Sequence, residues 1–187
     1  MSELAKFEIL RLSDYCKKLE STNNKYYEEL SAIAKLNYHE WYDSFYKDHI
    51  DVYKSAESLV EIWHNASQGN DPQILDVIVC INQNNLDVLG MCALEYNELE
   101  PHCPPENINT SKIYLTNLLV HPGARSQGIA CKLIQYCREW LQMHRPDLAA
   151  MYLNCQEKLV NFYIQCGWKL SDTETGLPDW YEMFTNK

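Results

Sequence analysis

Apolar residues recur along this chain with two different periods, and the switches between them mark out its elements. Residues 7–12 alternate as a first strand would. Across 26–41, Leu30, Ile33, Ala34, Asn37, Tyr38 and Trp41 fall at helical spacing with no Gly or Pro to interrupt them, which predicts a helix. Val52, Ala56, Leu59, Val60 and Trp63 predict a second amphipathic helix, stopped by Gly69-Asn70-Asp71-Pro72. Residues 74–81 are apolar and β-branched, and 86–96 follow the turn at 82–85, so the two form an antiparallel hairpin. Residues 97–111 contain Pro101, Pro104 and Pro105 and predict an irregular loop, long enough to border a site. A strand at 113–120 is broken by Pro122-Gly123. A long helix over 126–143 then carries Ile129, Leu133, Ile134, Cys137, Trp140 and Leu141 on one face. A strand at 149–155, a short helix at 157–165 and strands at 167–170 and 181–184 complete the chain.

The order β-α-α-β-β-β-α-β-α-β-β predicts an α/β architecture, a central mixed sheet with helices on both faces. There is no internal repeat, and 187 residues suit one domain, 1–187, with a substantial core.

Charge narrows the function. Sixteen Lys and Arg against 26 Asp and Glu give a net charge of −10, a poor match to a phosphate backbone, so nucleic acid is not an expected partner. No apolar run approaches the ~18 residues of a membrane span, and the N-terminus lacks a basic stretch followed by an apolar one, so neither a membrane nor a signal peptide is expected. The charge is uneven: residues 55–111 hold nine acidic side chains and no Lys or Arg. That segment is either a solvated face or an attractor of cations. The eight cysteines contain no C-x-x-C pair, which predicts free buried thiols, a reducing compartment (cytoplasm or nucleus, the cytoplasm being preferred) and no bound metal.

The stretch Leu118-Leu119-Val120-His121-Pro122-Gly123-Ala124-Arg125-Ser126-Gln127-Gly128-Ile129-Ala130 ends a strand, turns, and starts a helix. Such a turn is an anion site: the first amides of a helix lack intrahelical partners and sit at the positive end of its dipole. Gly128 and the small Ala130 let a phosphate approach the backbone. The turn is not a P-loop, having no Gly-Lys-Ser/Thr, and lacks the three glycines of a dinucleotide fingerprint.

Arg125-Ser-Gln-Gly-Ile-Ala130 resembles the acetyl coenzyme A loop of the GNAT N-acetyltransferases, Arg/Gln-x-x-Gly-x-Gly/Ala, and the Leu-Leu-Val-His-Pro before it resembles the strand leading in. Phe162-Tyr-Ile-Gln-Cys-Gly-Trp168 resembles the family's Phe-Tyr-x-x-x-Gly-Phe. The resemblance covers residues 75–185, and the two N-terminal helices match the family's variable acceptor region in position. It implies a mixed, mostly antiparallel sheet of about seven strands, splayed between 113–120 and 149–155. Pantetheine would lie in the gap and pyrophosphate on Arg125, Ser126, Gln127, Gly128, Ile129 and Ala130. Leu118, Leu119 and Val120 would meet the pantetheine and acetyl group. Gln156 stands where the family often has a cofactor-touching Asn. Acetyl coenzyme A would be co-substrate, and a small-molecule or peptide amine the acceptor. A homodimer is compatible with the resemblance.

Amine acetylation has its own demands. An ammonium must lose a proton before it attacks, the oxyanion that forms needs an N–H donor, and the departing thiolate benefits from an acid. The resemblance makes Tyr163 that acid; the competing reading is a packed aromatic beside Phe162. Many members carry the base as Asp or Glu in the strand before the loop, where this chain has Thr116 and Asn117. The candidates are Glu95, whose strand should pair beside 113–120, then Glu98, Glu100 and His102 of the loop, or a water chain. His102-Cys103 carries little weight as a nucleophile or ligand pair. Trp41 reads as core or as a wall of the acceptor pocket, and Asp179-Trp-Tyr-Glu182 as an acceptor border or a solvated edge. The competing function is a non-catalytic acyl coenzyme A-binding module on the same fold.

Overall fold

The computed structural model describes residues 6–20, 26–43, 45–96 and 105–186. Seven strands form one sheet in the order β1-β2-β3-β4-β5-β7-β6. They are β1 (Phe7–Arg11), β2 (Ile74–Asn82), β3 (Val88–Glu95), β4 (Tyr114–Val120), β5 (Ala150–Gln156), β6 (Lys169–Glu174) and β7 (Trp180–Asn186). Every neighbouring pair is antiparallel except β4–β5. The helices are α1 (Leu12–Glu20), α2 (Tyr26–Trp41), α3 (Ala56–Ser67), α4 (Ile129–His144) and α5 (Glu157–Gln165).

Strand β2 is apolar in succession because it is covered on both sides. Val77, Val79 and Ile81 join Leu19, Leu30, Ile33, Leu59 and Trp63 in one core, made with α1, α2 and α3. Ile78 and Cys80 point the other way, into a second core with Leu133, Ile134, Cys137 and Leu141 of α4 and Tyr163 of α5. The mixed sheet with helices on both faces is thus the predicted architecture.

The differences are local. Helix α1 has no counterpart among the elements expected from the sequence, where the first strand runs to Leu12. Leu12, Tyr15, Cys16 and Leu19 nevertheless follow helical spacing and are all buried. Helix α3 starts at Ala56 rather than at Val52, because Ser55 caps it: the Ser55 hydroxyl accepts from the Ser58 amide while the Ser58 hydroxyl meets the Ser55 amide. Helix α4 starts at Ile129, not 126, because Ser126 (φ 63°) and Gly128 (φ 77°) hold the turn in left-handed conformations. The seven cysteines among the described residues are free, but Cys131 is exposed rather than buried. No described helix is long and apolar enough to cross a membrane.

Candidate active site

The site begins where the sheet opens. Strands β4 and β5 share one paired position, Tyr114 with Tyr152, next to the bond from the Tyr152 amide to the Ile113 carbonyl at 2.8 Å. Beyond that point the two strands part. On its other side β4 is bent by a bulge: Met91 pairs with Leu119 but Ala93 with Thr116, so β4 has one extra residue. Asn117 sits in the bulge at φ 53°, a conformation Asn tolerates better than most residues. The gap holds a groove of about 690 Å³. Leu118, Leu119 and Val120 form one wall; Gln156, Leu159, Phe162 and Tyr163 form the other.

One end of the groove is closed by the turn into α4. Arg125, Ser126, Gly128, Ile129 and Ala130 line it, whereas Gln127 of the same turn is exposed and is not part of the wall. No side chain caps α4, so the amides of its first turn are left to an external acceptor. A Cβ built on Gly128 meets no atom within 4 Å, so the approach to these amides is open. Arg125 Nε donates to the Val120 carbonyl at 3.1 Å and ties the turn to β4. Behind the turn, a Cβ on Gly90 would lie 2.8 Å from the Leu119 carbonyl oxygen, so β3 must carry glycine there for β4 to pack. An uncapped helix start with open space above it fits a pyrophosphate.

A second, smaller cavity of about 70 Å³ lies beside the groove, and Trp41 lines both. Its walls are aromatic: Trp41, Phe45, Tyr46, Tyr53, Trp63 and Trp180. Among the described residues, Glu95 is the one charged side chain in its wall. Glu95 Oε1 accepts from the Thr116 hydroxyl at 2.6 Å and from the Asn117 amide at 3.2 Å. Asn117 Oδ1 in turn accepts from Asn37 of α2 at 3.3 Å and from the Tyr46 hydroxyl at 3.2 Å, and Tyr46 also bonds Asn37. Burial pushes the Glu95 carboxyl up to about 7, with Asp71 adding to the rise and the bonds from Thr116 and Asn117 opposing it. Near neutral pH the group is therefore divided between acid and base, as a proton acceptor should be.

A family model for the acetyltransferase (GNAT) domain matches residues 75–170, just over half of the chain. The chain belongs to the GNAT acetyltransferase family. Two solved structures with TM-scores above 0.5 agree on the fold. The PaiA N-acetyltransferase of Thermoplasma acidophilum, crystallised with coenzyme A, superposes with a TM-score of 0.60 at 16% identity over 97% of this chain and 99% of that one. A GNAT-family acetyltransferase of Staphylococcus aureus gives 0.59 at 19% identity over 97% and 99%. A protein named as a streptothricin acetyltransferase of Bacillus anthracis, with acetyl coenzyme A, aligns at 0.46 and 16% identity over 63% of this chain; the chain spans 65% of its length. No curated protein sequence matches significantly.

In this GNAT acetyltransferase the residues singled out from sequence fall into two neighbouring places. Leu118, Leu119, Val120, Arg125, Ser126, Gly128, Ile129, Ala130, Gln156 and Tyr163 line the groove, and Glu95 lines the aromatic cavity. Tyr163 is nearly buried, edge-on to Phe162 and Trp168, so it both packs and faces the groove. Glu98, Glu100, His102 and Cys103 lie outside the described residues. The expectation of a solvated edge at Asp179-Trp-Tyr-Glu182 is corrected. β7 lies inside the sheet, Trp180 lines the cavity, and Glu182 is buried against Lys112 Nζ at 3.0 Å. Asn37, Tyr46 and Tyr53 join the site without having been expected there. Asn37 is visible in the sequence as a polar residue on an otherwise apolar helix face, but nothing local links it to Asn117, 80 residues away.

Proposed function

We propose that this acetyltransferase transfers an acetyl group from acetyl coenzyme A to a primary amine, bound as its ammonium ion beside Glu95. The observation that carries this reading is the buried Glu95 carboxyl in an aromatic cavity that shares the Trp41 wall with the groove. Aromatic faces attract cations, and a lone carboxylate among them gives the ammonium its counter-charge.

Leu118, Leu119, Val120 and Gln156 would hold the pantetheine arm, and residues 125–130 the pyrophosphate. Bound there, acetyl coenzyme A supplies an activated acetyl group. The chain supplies the rest. Thr116 and Asn117 both donate to Glu95 Oε1, which fixes the carboxylate and leaves Oε2 for the proton of the amine. Thr116 and Asn117 thus orient a base that comes from the neighbouring strand. The backbone amides of the β4 bulge and the strand after it are the available donors for an oxyanion. The Tyr163 hydroxyl gives a proton to the leaving sulfur.

Among the described residues of the acidic stretch 55–111, Glu95 lines the cavity and Asp71 lies near enough to raise its carboxyl further, which supports a cationic acceptor. Glu57 and Glu61 are exposed on α3, and Asp76 is buried against Arg11 and Trp140 in the other core. Glu95 alone of the nine lines the cavity among the described residues.

The test is release of free coenzyme A thiol from acetyl coenzyme A by the purified protein across a panel of primary amines. Amine-dependent release supports the reading; tight binding without release for every amine contradicts it. Within that assay, Tyr163→Phe is expected to lower kcat about tenfold or more and to change KM for acetyl coenzyme A less, since the hydroxyl acts as the thiolate departs. An undiminished kcat would return Tyr163 to packing.

A further inference from the structure

Two thiols meet at the edge of the groove. Cys131 lies in the first turn of α4 and lines the groove. Cys166 ends α5, within one turn of Phe162 and Tyr163 in the facing wall. Their sulfurs stand 3.1 Å apart although 35 residues separate them in sequence. Both are free thiols. The backbone holds Cys166 in this position. Its amide donates to the Phe162 and Tyr163 carbonyls, and its carbonyl accepts from Arg138 Nη2 at 2.7 Å. Arg138 follows Cys131 by about two helical turns, so both reach the end of α5 from one face of α4. Cys131 is exposed and Cys166 half-buried. Burial, with the neighbouring Cys131 thiol adding to it and Arg138 opposing it, pushes the Cys166 thiol up to about 12, so Cys166 keeps its proton at neutral pH. Cys92 and Cys137 are also in contact, at 3.5 Å, but both are buried in the second core.

We propose that Cys131 and Cys166 form a reversible oxidation site, which a hydroperoxide closes to a disulfide. Cys131 reacts first because it is the exposed member of the pair. Its sulfur attacks one oxygen of the peroxide and the O–O bond breaks. Cys131 becomes a sulfenic acid, and the other oxygen leaves as water or an alcohol with the thiol proton. The Cys166 sulfur then attacks the Cys131 sulfur. The S–O bond breaks, and the hydroxyl leaves as water with the Cys166 proton. Two thiols lose two electrons and one peroxide gains them. The sulfurs have to close from 3.1 Å to about 2.0 Å. A thiol in contact captures the sulfenic acid before it oxidises further, and exchange with a reducing thiol restores the pair. In a reducing compartment such a bond is transient. It joins the two walls of the groove, the first turn of α4 to the end of α5 that carries Tyr163. Cys131 is reached through the groove, so a cofactor bound there covers it. That last step rests on the reading that the groove holds acetyl coenzyme A.

The test treats the full chain with hydrogen peroxide, alkylates the remaining thiols under denaturing conditions, and maps the peptides by mass spectrometry. A linked Cys131–Cys166 peptide is expected, and dithiothreitol should abolish it. Cys92 and Cys137 should be recovered as thiols, since peroxide does not reach them. Cys166→Ser should leave Cys131 as a sulfenic acid that dimedone labels, and Cys131→Ser should leave Cys166 unoxidised under the same treatment. Saturating acetyl coenzyme A, which has no free thiol of its own, is expected to slow formation of the linked peptide at least tenfold, because susceptibility follows exposure. Recovery of Cys131 and Cys166 as thiols would overturn the proposal. So would Cys131 recovered as a sulfinic acid beside an unreacted Cys166. Acetyl coenzyme A that binds by calorimetry yet leaves the rate unchanged would overturn the groove as the route to Cys131. Acetyl coenzyme A that does not bind at all would instead defeat the cofactor reading, and the linked peptide would still establish the oxidation site.

Discussion

Glu95→Gln is expected to cut kcat/KM for the amine by about 10²–10⁴-fold, the usual contribution of a general base, and to stabilise the protein at the same time. The second effect follows from burial. The folded carboxyl titrates at about 7 against an ordinary value of 4.5. A group whose folded value is raised gives full stability below the unfolded value and loses it as pH climbs through the folded one. The wild-type protein is therefore expected to lose on the order of 3 kcal/mol between pH 4.5 and pH 8 at this position, taking 1.36 kcal/mol per pH unit. The Gln amide does not ionise, and its oxygen accepts from Thr116 as Glu95 Oε1 does. In urea unfolding at several pH values, the stability difference between the two proteins should thus shift in favour of the Glu95→Gln variant by that amount, entirely between pH 4.5 and 8. A constant difference across that range would mean that Glu95 is ionised without penalty.

Gly128→Glu is expected to weaken coenzyme A binding at least tenfold, and by roughly 30-fold to 10⁴-fold if two phosphate contacts are lost at about 1–3 kcal/mol each. The new carboxylate would stand above the uncapped amides of α4, where an anion belongs. The left-handed φ of 77° adds strain of roughly 1 kcal/mol for a residue with a Cβ. With no atom within 4 Å of that Cβ, the variant should fold. Gly128→Asn, which tolerates the conformation and brings no charge, should keep most of the affinity. Unchanged calorimetric affinity in a folded Gly128→Glu protein would remove the pyrophosphate from residues 125–130.

The groove is far more legible in the sequence than the cavity, and the reason is range. The turn from Val120 to Ala130 is local: a strand end, a glycine and a helix start lie within a dozen residues, and each has a local signature. Tyr163 carries its own short motif. The cavity is built from α2, the 3-10 turn at Tyr46–His49, α3, β3, β4 and β7, so its walls meet only when the chain folds. Glu95 can be named because strand pairing is foreseeable: β3 lies beside β4 with Glu95 opposite Tyr114. Its orienting partners need the bulge at Asn117, which alternation of apolar residues does not show. Trp41 reads from sequence as either core or acceptor wall, and it serves as the wall common to both spaces. Helix α1 is hidden although Leu12, Tyr15, Cys16 and Leu19 carry its period, because nine residues joined directly to a strand offer no separating loop.

Whether the buried Glu95 takes the proton of the amine is decided by the pH dependence of kcat/KM in wild type and Glu95→Gln with the same amine. The profile reports ionisations of the free enzyme and free amine. The wild-type profile should rise about tenfold per pH unit in the acid range and bend near pH 7, where the Glu95 carboxyl titrates. Because the amine enters as its ammonium ion, the wild-type profile should fall again at alkaline pH, where the free amine loses its proton. In Glu95→Gln the bend near 7 should be gone. A bend that persists in the variant, or a wild-type profile with none, would contradict the assignment of Glu95 as the base.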